Sequence, residues 1–325
     1  MTKFTRIAAG AALAVAVLFS PQLRAEEVVI SAASGFPKGT LFSKTFEGWV
    51  EMVNEKGKGL VRIDYKGGAP AIGSPFQLVK QLQEGVFNMV STTGAYYTNT
   101  LPEADAFKLT ELSVQELRKN GGFDYMAKLH EEKGVHYLGR HTDFVPFHLY
   151  LNKKIDKPDL TGLKIRVSPI YQNFFLALGA TSAQRSTAPE VYSLLERGVV
   201  DGYGWPISGI FDFSWEKVTK YRVDPGFYSA DIHILLNKEF WDKLSDEQKK
   251  FLNDMMIEQE SHNSDVIAFN EAEAKRQAEA GIEVIKMADD NEKKWLDTAK
   301  EAGWEGVIKV SPQHGPELRK LFTKN

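Results

Sequence analysis

The chain of 325 residues contains no cysteine. This absence excludes disulfide bonds, thiolate nucleophiles and cysteine-ligated zinc sites. The sequence also lacks a P-loop, a nucleophile elbow and a glycine-rich dinucleotide fingerprint, so no cofactor is expected. There is no basic run and the formal charge is −3, so nucleic acid is not expected as a partner.

Apolar runs of membrane-spanning length are absent as well. The longest apolar segment covers residues 7–19 and falls short of the roughly 20 residues that cross a bilayer. Lys3 and Arg6 precede it, and Ala25 offers a small residue for cleavage. Residues 1–25 are therefore predicted to be a secretory signal, with a retained N-terminal anchor as the alternative. An exported chain without cysteine fits a Gram-negative-type periplasm.

The composition is that of a globular protein, with 43% hydrophobic and 26% charged residues. The length predicts two lobes. A β-branched run at 28–33 predicts a strand, helical periodicity over 40–54 predicts a helix, and alternation over 60–65 predicts a second strand. This order indicates α/β units built on parallel strands.

One pattern occurs twice. Residues 77–85 read as a helix that ends at Gly85 and leads into a strand, and residues 190–198 read as a helix that ends at Gly198 and leads into another strand. The repetition indicates two similarly built lobes whose strand ends face one cleft, unless the similarity is due to chance.

Residues 246–280 contain neither proline nor glycine. Following a capping-box start at Ser245, they predict one long helix that lies across both lobes. The alternative is two helices broken near residues 261–264. A strand at 282–285 and a helix at 291–302 are predicted after it.

Histidines are the natural candidates for catalysis. His130, His136, His141 and His148 lie close together, with Asp143 between the last two. Their spacing matches no zinc pattern, and a strand would place them on different faces. Neither a metal site nor an enzymatic centre is predicted.

A strand at Lys164–Val167 ends in Ser168-Pro169. Arg166 lies near its end, where it can meet a ligand anion with a planar, bidentate fork. From the residues alone, a surface arginine paired with a local carboxylate remains the alternative.

The stretch DLTGLKIRVSPIYQNFFLALGATSAQRSTAPEVYSLLERGVVDG, over residues 159–202, resembles the solute-binding proteins of TRAP transporters, in the C4-dicarboxylate-binding branch. The later segments FSWEKVTKYRV and LLNKEFWDKLSDEQKKFL are similar to the same family. The resemblance implies that Arg166 clamps a substrate carboxylate.

For the fold, the resemblance implies a two-lobed α/β periplasmic binding protein with an inter-lobe cleft and a long C-terminal helix spanning both lobes. Residues 26–142 with 236–275 are expected to form lobe I, and residues 143–235 with 276–325 lobe II.

For function, it implies a periplasmic, monomeric receptor that captures an organic acid and delivers it to the small and large integral membrane subunits of a transporter. An exported enzyme acting on aromatic or organic acids and a sensor-type binding domain are the alternatives.

Two departures from the family pattern bear on the ligand. Trp205 stands where many members have asparagine. Many members also carry a second arginine upstream, and at the matching place this sequence has Phe147 or His148. These changes favour a monocarboxylate with an apolar or aromatic body over a dicarboxylate. The predicted ligand-binding residues are Phe36, Thr93, Tyr97, Phe147, His148, Arg166, Tyr203 and Trp205.

Overall fold

A computed structural model describes residues 26–186 and 188–324. The predicted secretory signal, residues 1–25, lies outside the described residues. Within the described ranges, no helix has the length and apolar character needed to cross a membrane.

Strands and helices alternate along the chain. The strands are β1 (Val28–Ser34), β2 (Val61–Gly68), β3 (Met89–Thr92), β4 (Val135–Leu151), β5 (Lys164–Val167), β6 (Ser182–Arg185), β7 (Gly202–Pro206), β8 (Tyr221–Asp224), β9 (Ser229–Asn237) and β10 (Glu283–Lys286). The helices are α1 (Leu41–Lys56), α2 (Leu78–Gln83), α3 (Val114–Asn120), α4 (Gly122–Glu131), α5 (Gln172–Ala177), α6 (Val191–Glu196), α7 (Lys238–Lys243), α8 (Asp246–Ser261), α9 (Val266–Glu279), α10 (Asp289–Val310) and α11 (Gly315–Phe322).

Hydrophobic periodicity explains α1, the first helix. Phe42, Phe46, Trp49, Val50 and Val53 recur at helical spacing and are all buried. Their shared face packs on the sheet that contains β1 and β2. The predicted helix is therefore present, and burial of its apolar face stabilises it.

Two groups of strands define the lobes. In lobe I, β1 lies between β2 and β3 in parallel, and β9 runs antiparallel to β3. In lobe II, β5 lies between β6 and β7 in parallel, and β8 pairs with β10. The long strand β4 belongs to both lobes, because its first part pairs with β9 and its end pairs with β7 and β8. The mixed α/β, two-lobed fold predicted from the sequence is confirmed.

The predicted lobe boundaries differ from this pairing. Residues 229–235 were assigned to lobe II, but they form most of β9 and pair with β3 and the first part of β4 in lobe I. Helix α11 was also assigned to lobe II, yet it packs on α3 and α4. These long-range pairings leave no local signal in the sequence, so the strand pairing and the predicted boundaries divide the chain differently.

The predicted long helix is present as one bent helical path. Helices α8 and α9 are joined by a 3-10 turn at Asn263–Asp265, so the bend falls where the alternative reading placed a break. The path contacts both lobes: Trp49 Nε1 donates to the Met255 carbonyl in α8, and Gln277 Nε2 in α9 donates to the Ile207 carbonyl of lobe II.

The two helix–glycine–strand units are also present. Gly85 follows α2 with φ of 75°, and Gly198 follows α6 with φ of 65°. Each glycine adopts the left-handed conformation that ends a helix, and the strands that follow are β3 and β7. Each strand carries the chain to the cleft between the lobes.

Candidate functional site

A cavity of about 640 Å³ lies between the lobes. It is lined by the segments that follow β1, β3 and β5 and by the end of β7. Ligands of open α/β sheets bind at these carboxyl ends. The two similar strand units of the lobes therefore converge on one site.

Arg166 is the central polar group of this cavity. Its side chain is 3% exposed and comes from the penultimate position of β5. Nε donates to Ser186 Oγ at 3.3 Å, Nη2 to the Ser186 carbonyl at 2.5 Å and Nη1 to the Tyr171 hydroxyl at 2.5 Å. These bonds occupy three of the five guanidinium N–H donors, which leaves one on each terminal nitrogen.

Among the described side chains, no carboxylate lies within ion-pair distance of Arg166. A buried charge without a counterion is costly, and an anion that enters the cavity removes that cost. The two remaining N–H donors match the two oxygens of one carboxylate. The surface-arginine alternative is wrong, because Arg166 is buried in the cavity wall.

Tyr171 orients the arginine. Its hydroxyl accepts from Arg166 Nη1 and donates to the Gly204 carbonyl at 2.6 Å, so it links β5 to β7. Its ring packs so closely on Gly204 that a Cβ there would lie 2.7 Å from the ring. The sequence analysis did not identify Tyr171, although it lies only five residues after Arg166.

We expect Tyr171→Phe to weaken solute binding about tenfold, or about 1.4 kcal/mol, because one fixed partner of a charged group is lost. Isothermal titration of the wild type and the variant measures this. Tyr192→Phe, in α6 and outside the cavity lining, is the matched control. Equal affinities for Tyr171→Phe and wild type would show that the hydroxyl does not orient Arg166.

Aromatic side chains from both lobes line the cavity. Phe36 packs on Phe42 and Tyr96, with ring centroids 5.4 Å and 5.7 Å apart, and Phe76 meets Tyr96 at 5.0 Å. Desolvation raises the pKa of Tyr96 to about 12, against the opposing effect of Arg166. Its hydroxyl therefore stays protonated at neutral pH and can act as a hydrogen-bond donor.

The charges of the lining favour a single anionic group. Among the described lining residues, Arg166 is the one cation, whereas Glu190 and Asp212 are carboxylates. A second carboxylate on the ligand would find no further cation among the described lining residues.

The structure brings five of the eight predicted binding residues to the cavity. These are Phe36, Thr93, Phe147, Arg166 and Trp205. The other three, Tyr97, His148 and Tyr203, lie outside its lining. Residues that line the cavity without having been predicted include Tyr96, Tyr171, Ser186, Asp212 and Phe213.

His148 lies away from the cavity because neighbouring residues of a strand point to opposite faces. Phe147 takes the cavity side, and His148 Nδ1 instead lies 3.0 Å from the Val223 carbonyl and 3.0 Å from an oxygen of Asp224. No group of three or more possible metal ligands is found in the described part of the chain.

The two tyrosines are held elsewhere by their hydroxyls. Tyr97 is buried in the core, where its hydroxyl is 2.9 Å from both His130 Nε2 and His233 Nε2, and its neighbour Tyr96 lines the cavity. Tyr203 stacks on Tyr150 at 5.0 Å and bonds Thr219 at 2.9 Å. Both tyrosines are therefore part of the core.

Trp205 reaches the cavity as part of an aromatic cluster. Its ring makes T-shaped contacts with Trp215 at 4.8 Å and Phe213 at 6.0 Å. The cluster fixes the indole at the end of β7, so Trp205 contributes a rigid apolar section of the wall.

A buried polar group supports the floor of the cavity. Asp231 Oδ2 accepts from the Gly94 N–H at 2.9 Å and from Thr93 Oγ1 at 3.4 Å, and it lies 3.6 Å from His233 Nε2. Burial raises the pKa of Asp231 to about 7. The carboxyl holds the turn that presents Thr93 and Tyr96 to the cavity.

An α/β fold that encloses a cavity between two lobes, with the buried Arg166 in a largely apolar wall, defines a receptor for a small organic solute. The chain belongs to the bacterial extracellular solute-binding protein family 7, whose model matches residues 32–306. The resemblance seen in the sequence is thereby confirmed.

Among curated proteins, the chain is similar to the C4-dicarboxylate-binding periplasmic protein of Rhodobacter capsulatus, with 30% identity over 158 residues, 48% of this chain and 44% of that protein. It is also similar to the ectoine-binding periplasmic protein of Halomonas elongata, with 24% identity over 77% of this chain and 72% of that protein. The chain thus spans about half the length of the Rhodobacter relative.

Solved structures share the fold. A TRAP periplasmic solute-binding protein from Desulfovibrio salexigens with bound orotic acid matches with a TM-score of 0.79 and 21% identity, over 90% of this chain and 97% of that chain. A marine metagenome TRAP solute-binding protein specific for aromatic acid ligands, with bound 3-hydroxybenzoate, matches with a TM-score of 0.75 and 24% identity, over 91% and 97%.

Proposed function

We propose that this protein captures an organic monocarboxylate with an apolar or aromatic body between its two lobes. The carboxylate binds the two free N–H groups of Arg166, and the body lies against the aromatic walls. The observation that carries the proposal is the buried, cavity-lining Arg166 with no carboxylate partner among the described residues.

The size and character of the cavity support an apolar body. Its volume of about 640 Å³ falls in the range of pockets that enclose drug-sized ligands, which are lined mainly by apolar groups with a few polar ones. A four-carbon diacid would leave much of this space unfilled, and its second carboxylate would find no cation besides Arg166 among the described lining residues. Two solved relatives carry orotic acid and 3-hydroxybenzoate, which are ring-bearing acids.

The cellular role follows from the family. We propose a monomeric receptor in the periplasm that presents its solute to the small and large membrane subunits of a TRAP transporter. The comparisons give no support to the alternative of an exported enzyme, whereas a sensor-type binding domain would use the same cavity.

The proposal is tested by a thermal-shift screen followed by calorimetry. The panel contains aromatic and alicyclic monocarboxylates, ectoine, galacturonate and the C4-dicarboxylates succinate, malate and fumarate. We expect a monocarboxylate to bind most tightly and to raise the melting temperature; a solute at 100 times its Kd stabilises by about 2.7 kcal/mol. A C4-dicarboxylate as the tightest ligand would contradict the proposed substrate class.

Trp205→Asn tests the apolar wall. Loss of the indole is expected to reduce the preference for aromatic over C4-dicarboxylic acids severalfold, because aromatic packing adds about 0.5–1.5 kcal/mol beyond area burial. Competition binding measures the ratio, and melting without solute checks the fold. An unchanged ratio would remove Trp205 from the site.

A further inference from the structure

Helix α1 begins at the edge of the cavity without a cap from its own lobe. Its N-cap residue, Thr40, makes no side-chain bond to the helix and donates instead to the Pro37 carbonyl. No acidic residue lies in the first turn. The first helical N–H, that of Leu41, donates to Asp212 Oδ2 at 3.0 Å.

This bond joins the two lobes. Asp212 follows Leu41 by 171 residues and lies in the 3-10 turn Ile210–Phe213 of lobe II, just after β7. A carboxylate at a helix N-terminus both accepts a hydrogen bond and complements the helix dipole. The cap of a lobe I helix is thus supplied across the cleft.

The turn that carries Asp212 is fixed to lobe II and to the cavity wall. It lies between Gly209, with φ of 101°, and Ser214, with φ of 58°. Arg276 of α9 stacks over the Phe211 ring at 3.7 Å. Phe213, which follows Asp212 in the chain, lines the cavity and contacts Trp205. The same turn therefore forms part of the solute wall and part of the inter-lobe contact.

We propose that Asp212 determines solute affinity by holding the lobes together, so that it slows solute release without binding the carboxylate. The inference rests on the proposed function, because it assumes that the solute is enclosed between the lobes. A hinge motion opens and closes such a cleft. Each opening breaks the bond between Asp212 and α1, and each closure forms it again.

The contact is electrostatic and solvent-exposed, which gives it two measurable properties. It contributes only modestly to the free energy that holds the lobes together, and this contribution weakens at high ionic strength. The lobe I side carries Lys38 and Lys44 close in sequence to the start of α1. Asp212→Asn keeps an acceptor oxygen and removes the charge, whereas Asp212→Ala removes both.

The test measures solute release and lobe distance in the same variants. We expect the dissociation rate of the best-binding acid, by stopped flow, to rise about fivefold in Asp212→Ala and less in Asp212→Asn, with association changed less than twofold. The difference from wild type should shrink in 0.5 M salt. Asp156→Asn, an exposed change of the same charge in lobe II, is the control.

The distance between the lobes is measured in the protein without solute. Because the chain has no cysteine, Glu55→Cys in lobe I and Glu196→Cys in lobe II provide two labelling sites on exposed helical positions. We expect a larger open fraction in Asp212→Ala and faster hydrogen exchange of the Leu41 amide.

Unchanged release, lobe distance and amide exchange in Asp212→Ala would overturn this inference, as would equal effects of Asp156→Asn. The proposed function is tested by separate measurements, namely solute binding by the Arg166 variants and the ligand preference of the wild type. Its failure can therefore be distinguished from a failure of the inference about Asp212.

Discussion

Arg166→Ala is expected to weaken binding of the best-binding acid at least 100-fold. The variant removes the one cation among the described lining residues, and a carboxylate enclosed without its charged partner loses roughly 2–5 kcal/mol. Arg166→Lys should recover little of this loss, because a lysine cannot reproduce the planar fork or the bonds to Ser186 and Tyr171. Calorimetry on the purified variants gives the values.

Arg197→Ala is the control for this experiment, since Arg197 is an exposed arginine at the end of α6. The Arg197→Ala variant should bind the acid with the same affinity as the wild type. If Arg166→Ala bound the acid as tightly as the wild type, the carboxylate assignment would be lost.

The second large effect is expected in the dependence of stability on pH. Burial lowers the pKa of His130 to about 4 and that of His141 to about 3, and it lowers the pKa of His233 as well. His130 and His233 lie on either side of the Tyr97 hydroxyl, and His141 Nε2 is 2.9 Å from Ser91 Oγ. The three imidazoles are neutral in the folded protein.

The sign follows from proton binding. Below about pH 6.5 the unfolded chain binds protons at these histidines and the folded chain does not, so the free energy of unfolding falls as the pH falls towards about 4. A shift from 6.5 to about 4 corresponds to about 3 kcal/mol for His130 alone. Asp231 acts in the opposite sense, because its raised pKa makes stability fall as the pH rises from about 4 to about 7.

Urea unfolding between pH 4 and 8 measures this dependence. We expect a steep loss of stability below pH 6.5, a smaller slope in His130→Gln, and a gain above pH 7 in Asp231→Asn, which removes the cost of a buried carboxylate. His262→Gln, at an exposed position, should leave the profile unchanged. A flat profile from pH 6.5 to 4.5 in Asp231→Asn, where the opposing carboxyl is absent, would contradict the neutral buried histidines.

Local patterns in the sequence predicted the elements that build the site. Alternation located β5, helical periodicity located α1, and Gly85 and Gly198 marked the two helix ends that precede cavity strands. Each of these signals depends on residues within a few positions of one another. The strand end bearing Arg166 was accordingly correct, and the fold class followed with the family resemblance.

Two kinds of arrangement could not be predicted from local patterns. Adjacent side chains on a strand or in a turn point in different directions, and the sequence does not show which of them faces the cavity. Phe147 and Tyr96 line the cavity, whereas their predicted neighbours His148 and Tyr97 do not. Contacts between distant segments had no local signal at all: the bond between Asp212 and Leu41 is one, and the pairing of β9 with lobe I is another.

The bend between α8 and α9 also depends on tertiary contacts. No glycine or proline lies at the break. Asn263 in the 3-10 turn donates instead to the Arg140 carbonyl and to Asp143 Oδ2 on β4, at 2.9 Å and 3.2 Å. The turn is thereby attached to the strand that passes between the lobes.

The central claim is that a carboxylate binds Arg166 between the lobes. Its most direct test compares, by calorimetry on the wild-type protein, the tightest-binding acid of the panel with its primary amide, which has nearly the same shape and no charge. We predict that the acid binds at least 100-fold more tightly. Equal affinities of the acid and the amide would contradict the account.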